Sequence, residues 1–384
     1  MRQRCISGDS HIDLSWLPPD LFVANASSAY RERMPYVEDT PKGARWTTRS
    51  GLHLGFACGL GATGRPYEAG KQERADRMAA EGLFEDGKRG VRRISEPHLR
   101  VIDQDRDGVD GEILYGILGM SERLKDEEAS IEMLRVYNDW LRTFCSHYPQ
   151  RLLGLANIPC HTPEMALEEA RRVVRLGGLR GLDMAAASPV AKPYYHPDWD
   201  PFWAFASEAG MPVHFHTFGP EFPPQWETWD PATKEGARGA AFACGQFFRA
   251  ARVLTGLVMG GVLERFPKVK IVFAESGVGW IPYILDRMNW SWDEEFRHTL
   301  KLSLRPSEYW HRQCFASFQT EESALPVLEL VGLDNILWAS DFPHPDGIWP
   351  DSQAYISKLF GHLSADDRDK VAFRNAAGLY GLPV

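Results

Sequence analysis

The chain reads as a (β/α)8 barrel with a long insertion after its first strand. Three observations carry that reading. Short apolar runs alternate with amphipathic, helix-length stretches along nearly all of the 384 residues. There are eight such runs, at about 5–9, 112–118, 152–158, 179–183, 212–216, 270–275, 314–318 and 336–341. Several of them end in acidic or histidine residues. In a closed parallel barrel every strand ends at one face, so groups far apart in sequence converge there. A doubly wound sheet is the alternative, but eight units with polar ends on so many of them favour closure. The whole chain, 1–384, is expected to be one such domain.

The elements follow in order. Ile6-Ser7-Gly8-Asp9-Ser10-His11-Ile12-Asp13 makes the first strand and its exit. Residues 14–111 break the alternation and are rich in Gly, Pro, Arg and charge. Emerging after the first strand, they are expected to cap the catalytic face. Trp16, Leu17, Phe22, Trp46, Phe56 and Phe84 give this insertion apolar anchors that a disordered loop would lack. Helices are expected over 129–147, 163–176, 198–210, 249–266, 280–298, 321–331 and 365–380. A second long loop, 217–248, is expected after the fifth strand.

Composition excludes several functions. The net charge is −9, which gives no electrostatic case for nucleic acid or an anionic membrane surface. No apolar run approaches the length needed to span a bilayer. Cys5, Cys58, Cys145, Cys160, Cys244 and Cys314 are scattered without a C-x-x-C, as expected for reduced thiols in the cytoplasm. No signal peptide is legible at the start. Thirteen tryptophans serve either as core filling or as the lining of an aromatic pocket.

The chemistry-bearing residues stand at strand ends. Asp9, His11 and Asp13 are spaced to share one face of an extended segment, as are His214 and His216. Glu275 and Asp341 close the sixth and eighth runs. Buried carboxylates and imidazoles need partners, and a metal ion is a common one. The alternative is a metal-free network of hydrogen-bonded acids and histidines. His196, His214 and His344 fall where a substrate would be met. Three motifs are decoys. Gly59-Leu60-Gly61-Ala62-Thr63-Gly64 fits G-x-G-x-x-G, but Pro66 follows and no βαβ unit surrounds it. Asp103-x-Asp105-x-Asp107-Gly108 starts like a calcium loop, yet Leu114 stands where the closing Glu belongs. A Gly-x-Ser-x-Gly elbow is absent from the sequence.

A set of segments gives the chain a family resemblance. They are Ile6–His11, Pro18-Pro19-Asp20-Leu21-Phe22, Asp103–Asp110, Asp200-Pro201-Phe202-Trp203 and Gly210–His216. Phe266-Pro267, Glu275-Ser276-Gly277, Trp338–His344 and Asn375–Leu382 complete the set. Together they resemble the amidohydrolase superfamily, in the amidohydrolase-related branch that includes aminocarboxymuconate-semialdehyde and gamma-resorcylate decarboxylases. The resemblance implies a divalent ion (zinc, manganese or iron) at the carboxyl face of the barrel. It implies Asp9, His11, His216 and Asp341 as ligands, with Asp341 also moving a proton. It further implies a small organic carboxylate or aromatic substrate, and hydrolysis or nonoxidative decarboxylation. A homodimer is the assembly it suggests. Two departures stand out. Glu275 replaces the histidine that family decarboxylases carry after the sixth strand, and Asp13 adds a carboxylate. With both, the site is carboxylate-rich and could hold one ion or two. Glu275 is then either a ligand and catalytic acid–base group or a carboxylate that orients a ligating histidine. An oxygen-activating non-haem iron enzyme and a catalytically inactive binding barrel are the competing readings.

Overall fold

A computed structural model describes residues 2–59, 67–186, 192–216, 225 and 228–383. The chain is a (β/α)8 barrel. Its strands are β1 (Ile6–His11), β5 (Gly111–Tyr115), β6 (Leu152–Asn157), β7 (Gly181–Ala185), β8 (Val213–His216), β9 (Ile271–Phe273), β10 (Cys314–Phe318) and β11 (Ile336–Trp338), in that spatial order. The intervening labels belong to a small antiparallel sheet in the insertion: β2 (Tyr36–Glu38), β3 (Arg45–Thr47) and β4 (His53–Phe56). By contact the chain divides into two compact units, 1–159 with 168–183 and 337–384, and 160–167 with 184–336.

The first unit carries β1, β5, β6, the start of β7 and the exit of β11. Its ladders are parallel, pairing Ser10 with Leu114, Ile113 with Leu153, and Ala156 with Leu182. A parallel bridge joins Ser10 to Phe342, so the last strand's exit lies against the first. Every residue of β1, β5 and β6 is buried. This is why these strands read as continuous runs rather than alternating ones. Gly8 permits the close approach of the chain's two ends. A Cβ there would lie 2.9 Å from Leu337 Cβ and 3.2 Å from the Trp338 carbonyl.

The insertion is built rather than loose. Its helix Glu73–Ala80 presents Arg74, whose guanidinium donates to the carbonyls of Gly347 and Trp349 and to Asp351 Oδ2, each at 3.0 Å. The aspartates of the calcium-like motif stand on the helix Pro97–Asp107. There Asp103 pairs with Arg93, and Asp107 accepts from the amide and hydroxyl of Ser352. The glycine motif at 59–64 lies almost entirely outside the described residues.

The second unit pairs β8 with β9 and β9 with β10, again in parallel. Here one expectation is corrected. Residues 231–248 are not loop but the first two thirds of the helix Pro231–Met259. Asp230 caps it by accepting from the amides of Ala232 and Thr233, and Pro231 sits at its first position. Trp46, Trp199, Trp203, Trp310, Trp338 and Trp349 are fully buried, as core filling requires. Among the described residues no helix is long and apolar enough to cross a membrane.

Candidate metal centre

In the first unit, the ends of β1 and β11 bring Asp9, His11, Asp13, Asp341 and His344 into one buried cluster. His11 is central. Its Nε2 lies 3.3 Å from Asp9 Oδ1 and 3.2 Å from Asp341 Oδ1, and its Nδ1 lies 3.8 Å from Asp13 Oδ1. The ring of His344 stacks on that of His11 with centroids 4.0 Å apart. His344 holds two carboxylates at once, Asp13 Oδ2 at 2.8 Å from its Nε2 and Asp341 Oδ1 at 3.0 Å from its Nδ1. All five residues are less than a tenth exposed.

The backbone arranges this cluster through an unusual turn. Asp341 sits at φ 55°, in the left-handed region that non-glycine residues rarely enter. Its amide donates to the Asp9 carbonyl at 2.9 Å, and the amide of His344 donates to the Asp341 carbonyl at 2.9 Å. Gly347 is required close by. A Cβ there would meet the carbonyls of Asp341, Ser340 and His344 at 2.7, 2.8 and 2.9 Å. The turn thus carries Asp341 and His344 together onto His11.

Charge follows geometry. Burial alone would push the Asp341 carboxyl up, but His344 and His11 outweigh it and hold it below the usual carboxylate range. Burial alone would push His344 down, but Asp341 and Asp13 outweigh it and hold the imidazole well above its usual value. Both shifts favour a carboxylate at Asp341 facing an imidazolium at His344. Burial first, and then the Asp9 carboxylate among other charges, push the hydroxyls of Tyr115 and Tyr380 well up, so both stay protonated.

The second unit brings together His216 and Glu275. His216 ends β8, and its Nε2 lies 3.1 Å from Glu275 Oε2. Glu275 follows β9 by two residues at φ 48°, the same strained region as Asp341, and its amide donates to Ser317 Oγ at 2.9 Å. His214 is fully buried on β8. His196 precedes the turn Pro197–Trp199. Its Nδ1 accepts from the Asp198 amide at 3.2 Å, capping the turn Pro197–Trp199.

The first-unit cluster fits a divalent ion. The side-chain donors of His11, Asp341 and His344 lie within 4.8 Å of one another, as do those of Asp9 and His11. Ligands about 2.1 Å from an ion lie roughly 3–4 Å apart, so small rotations suffice. Asp341 Oδ2 is buried without a hydrogen-bond partner, an arrangement that a cation relieves. Mixed imidazole and carboxylate donors suit manganese, iron or zinc.

Sequence reading missed two acids. Asp183, in β7, is buried in the first unit, and its charge acts on Tyr115. The signal was present as a lone acid inside Gly181-Leu182-Asp183-Met184-Ala185. Glu321, in the second unit, accepts from the amides of Gln319 and Thr320, and burial pushes its carboxyl up. It stands beyond a strand end in an ordinary polar loop, where no pattern marks it.

The chain is similar to several known proteins. A gamma-resorcylate decarboxylase of Rhizobium sp. (strain MTP-10005) is 26% identical over 301 residues, 75% of this chain and 88% of the relative. The crystal structure of an amidohydrolase from Mycobacterium avium subsp. paratuberculosis superposes with a TM-score of 0.77 at 19% identity, covering 100% of this chain and 99% of that one. A 5-carboxyvanillate decarboxylase of Novosphingobium aromaticivorans, solved with bound manganese, gives a TM-score of 0.63 at 22% identity over 82% of this chain and 86% of its own. Nothing in these relatives supports the iron-oxygenase reading. The amidohydrolase family model matches residues 97–382, and the chain belongs to that family.

Proposed function

We propose that this protein is a metal-dependent enzyme that removes carbon dioxide nonoxidatively from a small aromatic carboxylate. The observation that carries the reading is the buried cluster of Asp9, His11, Asp341 and His344, gathered at the exits of the first and last barrel strands. The decarboxylases among its relatives, one of them with manganese, give the reading its substrate class and its metal. Asp9, His11 and Asp341 are the proposed ligands. His216, which the family resemblance implies as a ligand, ends the fifth barrel strand. Asp13 holds His344 at 2.8 Å and is proposed to orient it. The insertion is proposed to cap this face, since Arg74 docks it on the loop that follows Asp341 and His344.

When bound, the ion would supply a positive charge that holds and orients the substrate's oxygens. Asp341, ionised at rest, is first protonated by the His344 imidazolium and then delivers that proton to the ring carbon that bears the carboxylate. The bond from that carbon to the carboxylate then breaks, carbon dioxide leaves, and the bonding pair stays with the ring. A proton replaces carbon dioxide and no oxidant is consumed. His344, with its Nδ1 at 3.0 Å from Asp341 Oδ1, is placed to protonate it. Burial of the cluster excludes water that would compete for that proton.

Hydrolysis keeps one specific support. Glu275 is an acceptor-only carboxylate on His216 and could take a proton from water. The test is a panel of hydroxylated benzoates and of lactones and amides, assayed with manganese-loaded protein in D2O. The expected result is release of carbon dioxide with one deuterium at the vacated ring carbon. Replacing Asp341 with Asn should lower kcat by about 10²–10⁴-fold. Turnover of lactones or amides, with none of any benzoate, would move the assignment to hydrolysis.

A further inference from the structure

We propose that Arg100 is a positioning residue that sets the spacing of the metal ligands on the first and last barrel strands. This rests on the metal-centre reading above. Arg100 lies on the helix Pro97–Asp107 and its side chain is fully buried. A fully buried guanidinium is costly to desolvate and calls for an explanation.

Its donors answer that question. Nη1 donates to the carbonyl of His11 at 2.9 Å, and Nη2 donates to the carbonyl of Phe342 at 3.3 Å. His11 is a proposed ligand, and Phe342 directly follows the proposed ligand Asp341. The third donor, Nε, meets Glu112 Oε2 on β5 at 2.7 Å. One planar group therefore ties the exits of β1 and β11 to β5, the neighbour of β1. The guanidinium also lies over the Phe342 ring, 4.6 Å from its centroid. Glu112 is itself held, by Gln104 Nε2 at 2.8 Å and by the Ser10 hydroxyl at 3.4 Å. The anchor of the fork is thus fixed from the strand next to the ligands.

The guanidinium acts where the two strand exits already meet. The amide of His11 donates to the same Phe342 carbonyl at 2.7 Å, and Asp341 is held in a left-handed conformation. A lysine could keep a positive charge near Glu112. It could not present a rigid fork to two carbonyls at once.

The test is manganese affinity, read from the free Mn(II) EPR signal during titration of metal-depleted protein. Two variants are compared with the parent, Arg100→Lys and the double variant Arg100→Met with Glu112→Gln, which leaves no unpaired buried charge. Both are expected to keep the parent's circular dichroism and a cooperative melt. Both should bind Mn(II) about 10–100-fold more weakly, with an altered line shape for the bound ion. Either folded variant binding Mn(II) with the parent's affinity and line shape would overturn the positioning role. So would failure of both variants to fold, which would make Arg100 a folding residue. If the parent itself binds no divalent ion, the metal-centre reading fails, and this inference with it.

Discussion

At the scale of single residues, the cluster shows how one structure raises and lowers the same chemical group. Asp341 is buried yet held low, because two imidazoles face it. Asp107 is buried against hydroxyl and amide donors only, and burial pushes it up to about 7, with Glu112 and Asp351 adding to the rise and the Ser352 bonds opposing it. That difference makes a prediction. An acid whose folded pKa lies above its unfolded value binds its proton more tightly when folded. Its contribution is fully present below the unfolded value near 4 and is lost as pH rises towards 7. Stability should therefore fall across that window, by an amount on the order of 4 kcal/mol from this group. In Asp107→Asn the position cannot ionise, and the slope should flatten. Urea midpoints measured from pH 4 to 7.5 for both proteins decide it, and parallel curves would mean that Asp107 ionises without penalty.

At the scale of elements, the eight barrel strands were legible because each is a short apolar run buried on both sides, as at Leu152–Asn157. The site residues were legible for a related reason, since Asp9, His11 and His216 interrupt or end such runs. What was not legible came from turns and caps. The central place of His344 depends on the left-handed turn at Asp341, and no periodicity encodes that turn. The extension of one helix back to Pro231 was written in Asp230-Pro231, but the Ala- and Gly-rich stretch after it has no apolar stripe to draw the eye. The insertion's docking was hidden as well, because its polar contacts, such as those of Arg74 and Arg77 with Asp351 and of Arg33 with Glu128, are single side chains rather than a pattern. Arg74→Ala should release it. Amides in the helix Glu73–Ala80 should exchange faster, while those of β5 and β6 keep the parent's protection. Unchanged exchange in that helix would show that its apolar anchors, Met78 and Leu83 among them, hold the segment without Arg74.

At the scale of the whole molecule, the first unit buries Asp9, Asp13 and Asp341 close to the imidazoles of His11 and His344. Gathering three carboxylates in a low-dielectric site works against folding unless a cation joins them. A divalent ion that binds only the folded chain removes that penalty and adds its own binding free energy. At a free concentration 100 times its dissociation constant it stabilises by about 2.7 kcal/mol. For a chain of 384 residues the unfolding entropy is about 0.8 kcal/mol/K, so each kcal/mol raises the melting temperature by about 1.2 °C and manganese should raise it by about 3 °C over chelator-treated protein. The effect should be smaller in Asp341→Asn, which carries one carboxylate fewer and gives up a ligand. Calorimetric scans of both proteins, with chelator and with excess Mn(II), provide the four melting temperatures required. Coincident parent scans would mean that the acids are satisfied by His11 and His344 alone, and the cluster would then be a structural network in a barrel without its metal.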